Sequence, residues 1–269
     1  MFLKKRKILL ILASLIGIYL FSSIGFYLIQ EKFIFQPVKL KNDYRYNFEI
    51  PFQEYTIQTR DGEKLNAVVF PPTESSKGLI LYFHGNADNL QRWGNYAIDF
   101  TKLGYTILMV DYRSYGKSTG IPSERDLYLD ATTVLEWAQK NISYQKLIYY
   151  GRSLGSAVAS QLATRTTPDL LILETPFNEL KDVVYQPVKF LLSLLPTKYS
   201  FNNHQYLPKV KCRKIIFHGS DDWVVPLASA EKLKPLLSGN DQFYIITGAG
   251  HRNLRDFPEF HRALAEVLK

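Results

Sequence analysis

A serine flanked by glycines, Gly151-Arg152-Ser153-Leu154-Gly155, is the feature that most constrains the fold of this chain. It follows the apolar run Leu147–Tyr150 and opens a run of small residues, Ser156-Ala157-Val158-Ala159. The pattern G-x-S-x-G is common by chance, but the combination of a strand, a sharp turn and a helix is specific. Such a turn holds its central residue in a strained conformation and requires small neighbours. The pattern therefore predicts that Ser153 is an exposed nucleophile; the alternative is a serine that only caps a helix.

Short apolar runs alternate with longer helix-like segments around this turn. The predicted strands are Glu54–Thr59, Lys64–Phe70, Gly78–Phe83, Tyr105–Val110, Lys146–Tyr150, Leu170–Leu173, Lys214–Phe217 and Phe243–Thr247. Helices are predicted over about 88–103, 123–140, from Ser153, over 227–238 and over 254–268, after an irregular lead-in at 31–50. Continuous apolar runs are typical of strands that are buried on both faces. The pattern predicts one α/β domain, residues 31–269, around a mostly parallel sheet.

Residues 177–211 interrupt this alternation with an insertion. They contain an apolar helical candidate, Val183–Leu195, which Pro196 ends. Ligands of open α/β sheets bind beyond the carboxyl ends of the strands, so an insertion after a strand can cover the site like a cap. The alternative is a connector that packs on the sheet without affecting selectivity.

A serine hydroxyl needs a base, and the base needs an acid that orients it. In strand–turn–helix sites of this kind the acid and then the histidine follow the serine along the chain. Asp221 and Asp222 lie in the loop after one predicted strand, and His251 lies in the loop after the next. Carboxyl ends of parallel strands meet at one edge of the sheet. The order predicts His251 as the base, and it leaves the choice between the two aspartates open.

The developing oxyanion needs two backbone N–H donors, one after the nucleophile and one from the loop after an earlier strand. The first position is Leu154. For the second we predict Asn86, in the segment His84-Gly85-Asn86-Ala87, with its neighbour Ala87 as the alternative. A simple strand–helix turn is the other interpretation of this segment.

Residues Ile8–Ile29 contain no charge, and as a helix they would span about 33 Å, which matches a bilayer core. We predict a single transmembrane anchor over 8–30 behind a basic flank at 1–7. The alternative is a cleaved signal peptide, for which the run is long and only Ser23-Ile24-Gly25 offers a weak cleavage pattern. The basic cluster favours a cytoplasmic N-terminus and a catalytic domain outside the cytoplasm, although Lys32 lies just beyond the other end.

The net charge of +8 suggests nucleic-acid binding until its distribution is considered. Four basic residues lie at 4–7 and no acid precedes residue 31, so the rest of the chain has a net charge of only +4. We therefore expect no nucleic-acid partner. A single cysteine, Cys212, excludes an intrachain disulfide and a structural zinc site built on several thiolates.

Five motifs in this order resemble the α/β-hydrolase superfamily. The likeness is greatest to membrane-anchored α/β-hydrolase-domain serine hydrolases, the group that includes bud-emergence-type proteins and acyl-protein thioesterases. Many of these have a stretch similar to residues 31–37 after their anchor. The motifs are His84–Ala87, Asp111–Ser118, Gly151–Gly155, His218–Pro226 and Gly250-His251.

The resemblance implies a three-layer sandwich, no cofactor or metal, and ester or thioester substrates. It also implies that Asp222 rather than Asp221 is the catalytic acid, and that Asp111 and Arg113 are structural. Two positions depart from the family pattern. Ser114 replaces a usual glycine, and Arg252 stands where a small or amide residue is usual. Both departures concern substrate contacts rather than the triad.

The sequence thus predicts a membrane-anchored serine hydrolase with a Ser153–His251–Asp222 triad, an oxyanion hole at Asn86 and Leu154, and a small or lipid-like ester or thioester substrate. Two other functions remain open. One is a peptidase or amidase on the same fold, because triad chemistry also cleaves amides. The other is a catalytically silent binding protein, since a fold alone does not determine function.

Overall fold

The computed structural model describes residues 2–184 and 197–269. Within these residues the main sheet has eight strands in the order β10-β9-β8-β7-β4-β6-β3-β2. Strand β3 is antiparallel to both of its neighbours, and every other adjacent pair is parallel. The predicted mostly parallel sheet is confirmed. The strands are β1 (Gln36–Pro37), β2 (Gln53–Gln58), β3 (Lys64–Phe70), β4 (Leu79–Phe83), β5 (Ala87–Asp88), β6 (Thr106–Val110), β7 (Leu147–Arg152), β8 (Leu170–Glu174), β9 (Arg213–Gly219) and β10 (Gln242–Ile246).

Helices cover both faces of this sheet. In the described residues they are α1 (Phe2–Ile29), α2 (Glu31–Ile34), α3 (Leu90–Trp93), α4 (Ile98–Thr101), α5 (Glu124–Asn141), α6 (Leu154–Ala163), α7 (Lys181–Val184), α8 (Asn203–Tyr206), α9 (Leu227–Glu231) and α10 (Pro258–Val267). Alternate residues of β4 enter opposite cores: Leu81 packs in the core that includes α5 and α6, and Tyr82 in the core that includes α4 and α10. Two cores on one sheet make the predicted three-layer sandwich.

Several predicted helices prove to be shorter than expected. The segment 88–103 contains a 3₁₀ turn at Gly94–Tyr96, where Gly94 lies directly against the Phe48 ring. The prediction for 227–238 was wrong after Glu231, because Pro235 has no N–H to donate and a separate 3₁₀ turn forms there. The last helix begins at Pro258 rather than near 254, since the residue before a proline is driven to extended backbone.

The lead-in at 31–50 is more ordered than predicted. Helix α2 follows the apolar helix, and β1 pairs in parallel with β5 through Gln36 with Ala87 and Pro37 with Asp88. A two-residue strand has no periodicity, so the sequence pattern could not reveal it. The helical candidate Val183–Leu195 lies almost wholly outside the described residues. Helix α7, which ends at Val184, is the last described element before residue 197.

Helix α1 contains one stretch, Lys5–Ile29, that is long and apolar enough to cross a membrane. Most of its side chains are exposed, and only its last turns approach the domain. Length and composition of this helix agree with the predicted anchor, although a signal sequence has the same properties.

Arg113 forms the most extensive ion pairing in the described residues. Its guanidinium donates two hydrogen bonds of 2.8 Å to Asp130 of α5 and bonds of 2.6 and 2.9 Å to Asp61. The Arg113 and Asp130 side chains are 7% and 6% exposed, so both charges depend on each other. The same Arg113 hydrogen bonds lower the pKa of the solvent-exposed Asp61 to about 2. These contacts fix the loop after β6 to α5.

We predict that Arg113→Met lowers the free energy of unfolding by about 3–5 kcal/mol, because it leaves Asp130 buried without its partner. Urea unfolding of the full chain in detergent measures this effect. Arg60→Met is the matched control, since the Arg60–Glu136 ion pair is 78% and 41% exposed and such pairs contribute at most about 1 kcal/mol. Equal effects of the two substitutions would contradict the structural importance of Arg113.

Candidate active site

Ser153 occupies a sharp turn between β7 and α6. Its φ of 52° and ψ of −115° are strained for a residue with a side chain. Close packing leaves no room for a side chain at either glycine of the motif. A Cβ on Gly155 would lie 2.0 Å from the Phe83 carbonyl oxygen, and a Cβ on Gly151 would lie 2.4 Å from the Gly155 carbonyl oxygen. The turn therefore requires glycine at both positions. It places the serine at the carboxyl edge of the sheet.

The structure brings the three predicted side chains together at this edge. His251 Nε2 lies 3.1 Å from Ser153 Oγ, and His251 Nδ1 lies 2.8 Å from Asp222 Oδ2. A carboxylate on Nδ1 leaves Nε2 free to accept the serine proton, which is the arrangement that general-base catalysis requires. The loops after β9 and β10 supply the acid and the histidine in the predicted order.

Of the two adjacent aspartates, Asp222 is the one that faces the imidazole. Its Oδ1 accepts hydrogen bonds from the backbone N–H groups of Val224 and Val225, at 2.9 and 2.8 Å, and its side chain is buried. Asp221 is exposed and accepts a bond from the Ser220 hydroxyl. The geometry therefore leaves Oδ2 of Asp222 to orient His251.

Leu154 and Asn86, the predicted oxyanion donors, both lie at the wall of a cavity that Ser153 also lines. Among the described residues no acceptor is found for either backbone N–H. Free N–H groups beside the nucleophile are what a developing oxyanion requires. The Asn86 side chain points elsewhere, since its Nδ2 donates to the Ile34 carbonyl at 3.1 Å.

A tyrosine and the chain segment after α1 hold the loop of Asn86. The Tyr115 hydroxyl donates to the Asn86 carbonyl at 2.6 Å and accepts from the Gln36 N–H at 3.2 Å, and Gln36 N–H also reaches the Asn86 carbonyl at 2.9 Å. Sequence reasoning gave neither residue a role. The motif around Tyr115 was visible, but the contact with Gln36 joins residues 79 positions apart.

Arg152, the variable residue before the nucleophile, is a second support that the sequence reasoning missed. It is buried, pairs with Glu174 of β8 at 3.3 Å, and donates to the His251 carbonyl at 3.1 Å. Its guanidinium lies over the Tyr96 ring at 4.7 Å. It therefore joins the nucleophile turn to the histidine loop.

Two buried histidines stabilise loops of the site without contacting Ser153. His218 Nε2 donates to the Val225 carbonyl at 2.9 Å, and His84 Nδ1 donates to the Gly85 carbonyl at 2.7 Å. Burial lowers the pKa of both rings, that of His84 to about 4. Both imidazoles are therefore neutral at pH 7 and serve as hydrogen-bond donors.

The two departures from the family pattern occupy different places. Ser114 has a φ of 71°, which explains why glycine is usual at this position. Arg252 is exposed at the rim of a small pocket that His251 and Ser153 also line, and no acidic partner is found for it among the described residues.

An apolar cavity of about 790 Å³ opens beside the nucleophile. Ser153, Leu154 and Asn86 line it together with apolar side chains such as Phe177 and Leu180. Its size lies within the range of pockets that enclose small organic ligands. The cavity gives the site room for a large apolar substituent.

Comparison with known proteins identifies the family to which this chain belongs. A family model described as a serine aminopeptidase of the S33 type matches residues 74–205. An uncharacterised protein of Mycobacterium tuberculosis is 31% identical over 206 residues, which are 75% of this chain and 73% of that protein. The chain belongs to the α/β-hydrolase family of serine hydrolases.

Among the proteins similar to this hydrolase, one sequence relative and one solved structure have a named activity. The lysophosphatidylserine lipase ABHD12 of Macaca fascicularis is 33% identical over 226 residues; the match covers 72% of this hydrolase but only 56% of the lipase. A solved structure of an esterase from Pyrococcus furiosus superposes with a TM-score of 0.71, at 19% identity, over 87% of this chain and 97% of the esterase. The structural likeness supports the fold, and the hydrolase family supports ester cleavage.

We predict that Asp222→Asn lowers kcat for an ester substrate by about 10⁴-fold with little change in KM, because the imidazole loses the carboxylate that fixes its tautomer. The measurement is steady-state hydrolysis of a chromogenic ester. Asp221→Asn is the matched control and is expected to stay within about twofold of wild type, as surface changes usually do. A larger loss in the control than in Asp222→Asn would show that the acid is misassigned.

Proposed function

We propose that this protein is a membrane-anchored serine hydrolase that cleaves the acyl ester or thioester bond of a lipid-like substrate. The observation that carries the proposal is the contact chain Ser153–His251–Asp222. It lies beside an apolar cavity that Leu154 and Asn86 also line, and the described residues provide no acceptor for the backbone N–H groups of these two residues. The nucleophile, base, acid and oxyanion donors that acyl transfer needs are all within one site.

In the first half of the proposed reaction, Ser153 Oγ attacks the carbonyl carbon of the substrate as His251 Nε2 takes the hydroxyl proton. The negative charge of Asp222 stabilises the imidazolium. Backbone N–H groups of Leu154 and Asn86 donate to the oxyanion of the tetrahedral intermediate. The bond to the leaving alcohol or thiol then breaks, and His251 returns its proton to that group.

In the second half, water replaces the leaving group. His251 removes a proton from the water, whose oxygen attacks the acyl carbon of the Ser153 ester. The second tetrahedral intermediate collapses, Ser153 recovers its proton from His251, and the carboxylic acid leaves. One imidazole thus acts as base and acid in each half.

The substrate class is proposed from the cavity and the relatives together. The cavity walls are mostly apolar, so a long acyl chain loses contact with water when it enters. A lysophosphatidylserine lipase is among the relatives. Both favour a lipid ester over a small polar one.

Peptide amides are the second candidate substrate, because the matching family model carries the name of a serine aminopeptidase. A series of esters, thioesters and peptide amides with the same acyl group separates the two candidates. We expect turnover of the esters and thioesters to exceed that of the amide.

We further propose that residues 8–30 are an uncleaved membrane anchor and that 31–269 is the catalytic domain, on the non-cytoplasmic side. The apolar length of α1 and the basic residues at 4–7 support this arrangement. The full chain, tagged at both ends, is expected to stay in membranes after an alkaline wash, and proteinase K added to spheroplasts is expected to remove the C-terminal tag. Loss of the N-terminal tag would show signal cleavage, and a protected C-terminal tag would reverse the orientation.

The decisive test of the nucleophile is labelling with a fluorophosphonate, which reacts only with activated serines. Wild-type protein is expected to be labelled and Ser153→Ala to be unlabelled, because the alanine has no Oγ to attack phosphorus. Ser156→Ala is the matched control, since the Ser156 hydroxyl bonds to Asn203 and lies in the same helix turn. Equal labelling of wild type and Ser153→Ala would refute the assignment, and a folded but unlabelled wild type would favour a silent binding protein.

A further inference from the structure

The last two turns of the apolar helix form one wall of the cavity that begins at Ser153. Ser22, Gly25, Phe26 and Ile29 of α1 line it, together with Phe21. Their spacing of three and four residues is that of a single helix face. The same cavity therefore reaches from the proposed nucleophile to the segment that is apolar enough to cross a membrane.

The junction between α1 and the domain is built from buried contacts, so this wall is fixed. Gln30, directly after α1, is fully buried and accepts a hydrogen bond from the Lys198 N–H at 2.7 Å. The Glu31 carboxylate bonds to the Lys198 ammonium and accepts from the Tyr199 hydroxyl. Ile34 and Phe35 are each 4% exposed and belong to the core of the domain. A helix held in this way keeps one face turned towards the cavity.

The depth that the cavity reaches in a membrane follows from the length of α1 that lines it. The nine residues from Phe21 to Ile29 are separated by eight steps along the helix, which correspond to about 12 Å. One leaflet of a bilayer core is about 15 Å thick. When α1 spans a membrane, its last turns lie in the leaflet next to the domain. The cavity then runs alongside most of that leaflet, with Ser153 near the polar surface where the charged residues Glu31 and Lys32 begin.

We propose that α1 is part of the substrate-binding site as well as an anchor: its face at 21–29 is the wall against which the acyl chain of a lipid from the adjacent leaflet lies. This inference rests on the proposed function. The acyl chain stays at hydrocarbon depth while its ester carbonyl reaches Ser153. The lipid enters sideways from the bilayer, so the enzyme does not need to extract it into water.

Two glycines of α1 allow a direct test. A Cβ at Gly25 or at Gly17 would meet no atom of the described residues within 4 Å, so a side chain can leave the helix at either position without a steric clash at the Cβ. Only Gly25 lines the cavity. Gly25→Trp fills the wall of the proposed acyl site, and Gly17→Trp is the matched control on the same helix.

The assay compares a long-chain lysophospholipid presented in vesicles with a soluble acetate ester, using the full-length protein. Gly25→Trp is expected to lower kcat/KM for the long-chain lipid by about 10-fold or more, as a blocked hydrophobic pocket does, while acetate hydrolysis and fluorophosphonate labelling stay within about twofold. Gly17→Trp is expected to change none of these. Unchanged long-chain hydrolysis in Gly25→Trp, or an equal loss on both substrates, overturns the role of α1. Absent labelling of the wild type instead refutes the proposed function.

A second measurement locates the bound alkyl chain directly. A long-chain alkyl fluorophosphonate with a diazirine at the chain end is attached to Ser153 and then photolysed. A crosslink from the Ser153 peptide to residues 21–29 supports the proposal. Crosslinks confined to the domain, for example to residues 177–183, overturn it.

Discussion

The tight turn at Ser153 is the constraint on which the rest of the site depends. Its strained backbone is held because α6 packs directly against both β7 and the end of β4, so that no Cβ fits at Gly151 or Gly155. Backbone strain of this kind costs about 1–3 kcal/mol and persists only where the surroundings hold it in place. Arg152 adds to that support by bonding to the histidine loop and to Glu174. In the proposed mechanism this turn places the serine hydroxyl and the Leu154 N–H beside the same substrate carbonyl.

Around this turn the site is assembled from loops that follow different strands, and each is held by hydrogen bonds away from the reacting atoms. Asp222 receives two backbone N–H groups, and the loop of Asn86 is held by Tyr115 and Gln36. Since Gln36 follows α2 and α1 directly, the oxyanion loop, the cavity wall and the apolar helix form one continuous set of contacts. The segment that follows the apolar helix therefore contacts both the loop of Asn86 and the core of the domain.

The sequence predicted the sheet and most strands closely, because strands buried on both faces must be apolar throughout. It was less accurate for helix continuity. The breaks at Pro235 and Pro258 depend on single residues, and the 3₁₀ turn at Gly94 depends on the Phe48 ring of a distant segment. The predicted helix within 177–211 lies mostly outside the described residues, and its role as a cap or a connector stays a prediction.

By itself the sequence determined the fold class, and it predicted the nucleophile and the order of the triad residues. These are local requirements: a steric demand for glycine at fixed spacing, and loops at the carboxyl ends of parallel strands. The residue pattern left Asp221 and Asp222 open, the family resemblance favoured Asp222, and the tertiary structure shows Asp222 at the imidazole. Only the tertiary structure joined Tyr115 to Gln36 and placed one face of α1 on the cavity that Ser153 lines. Such contacts join residues up to 168 positions apart. They follow from how whole elements pack, and no periodicity within a short segment encodes them.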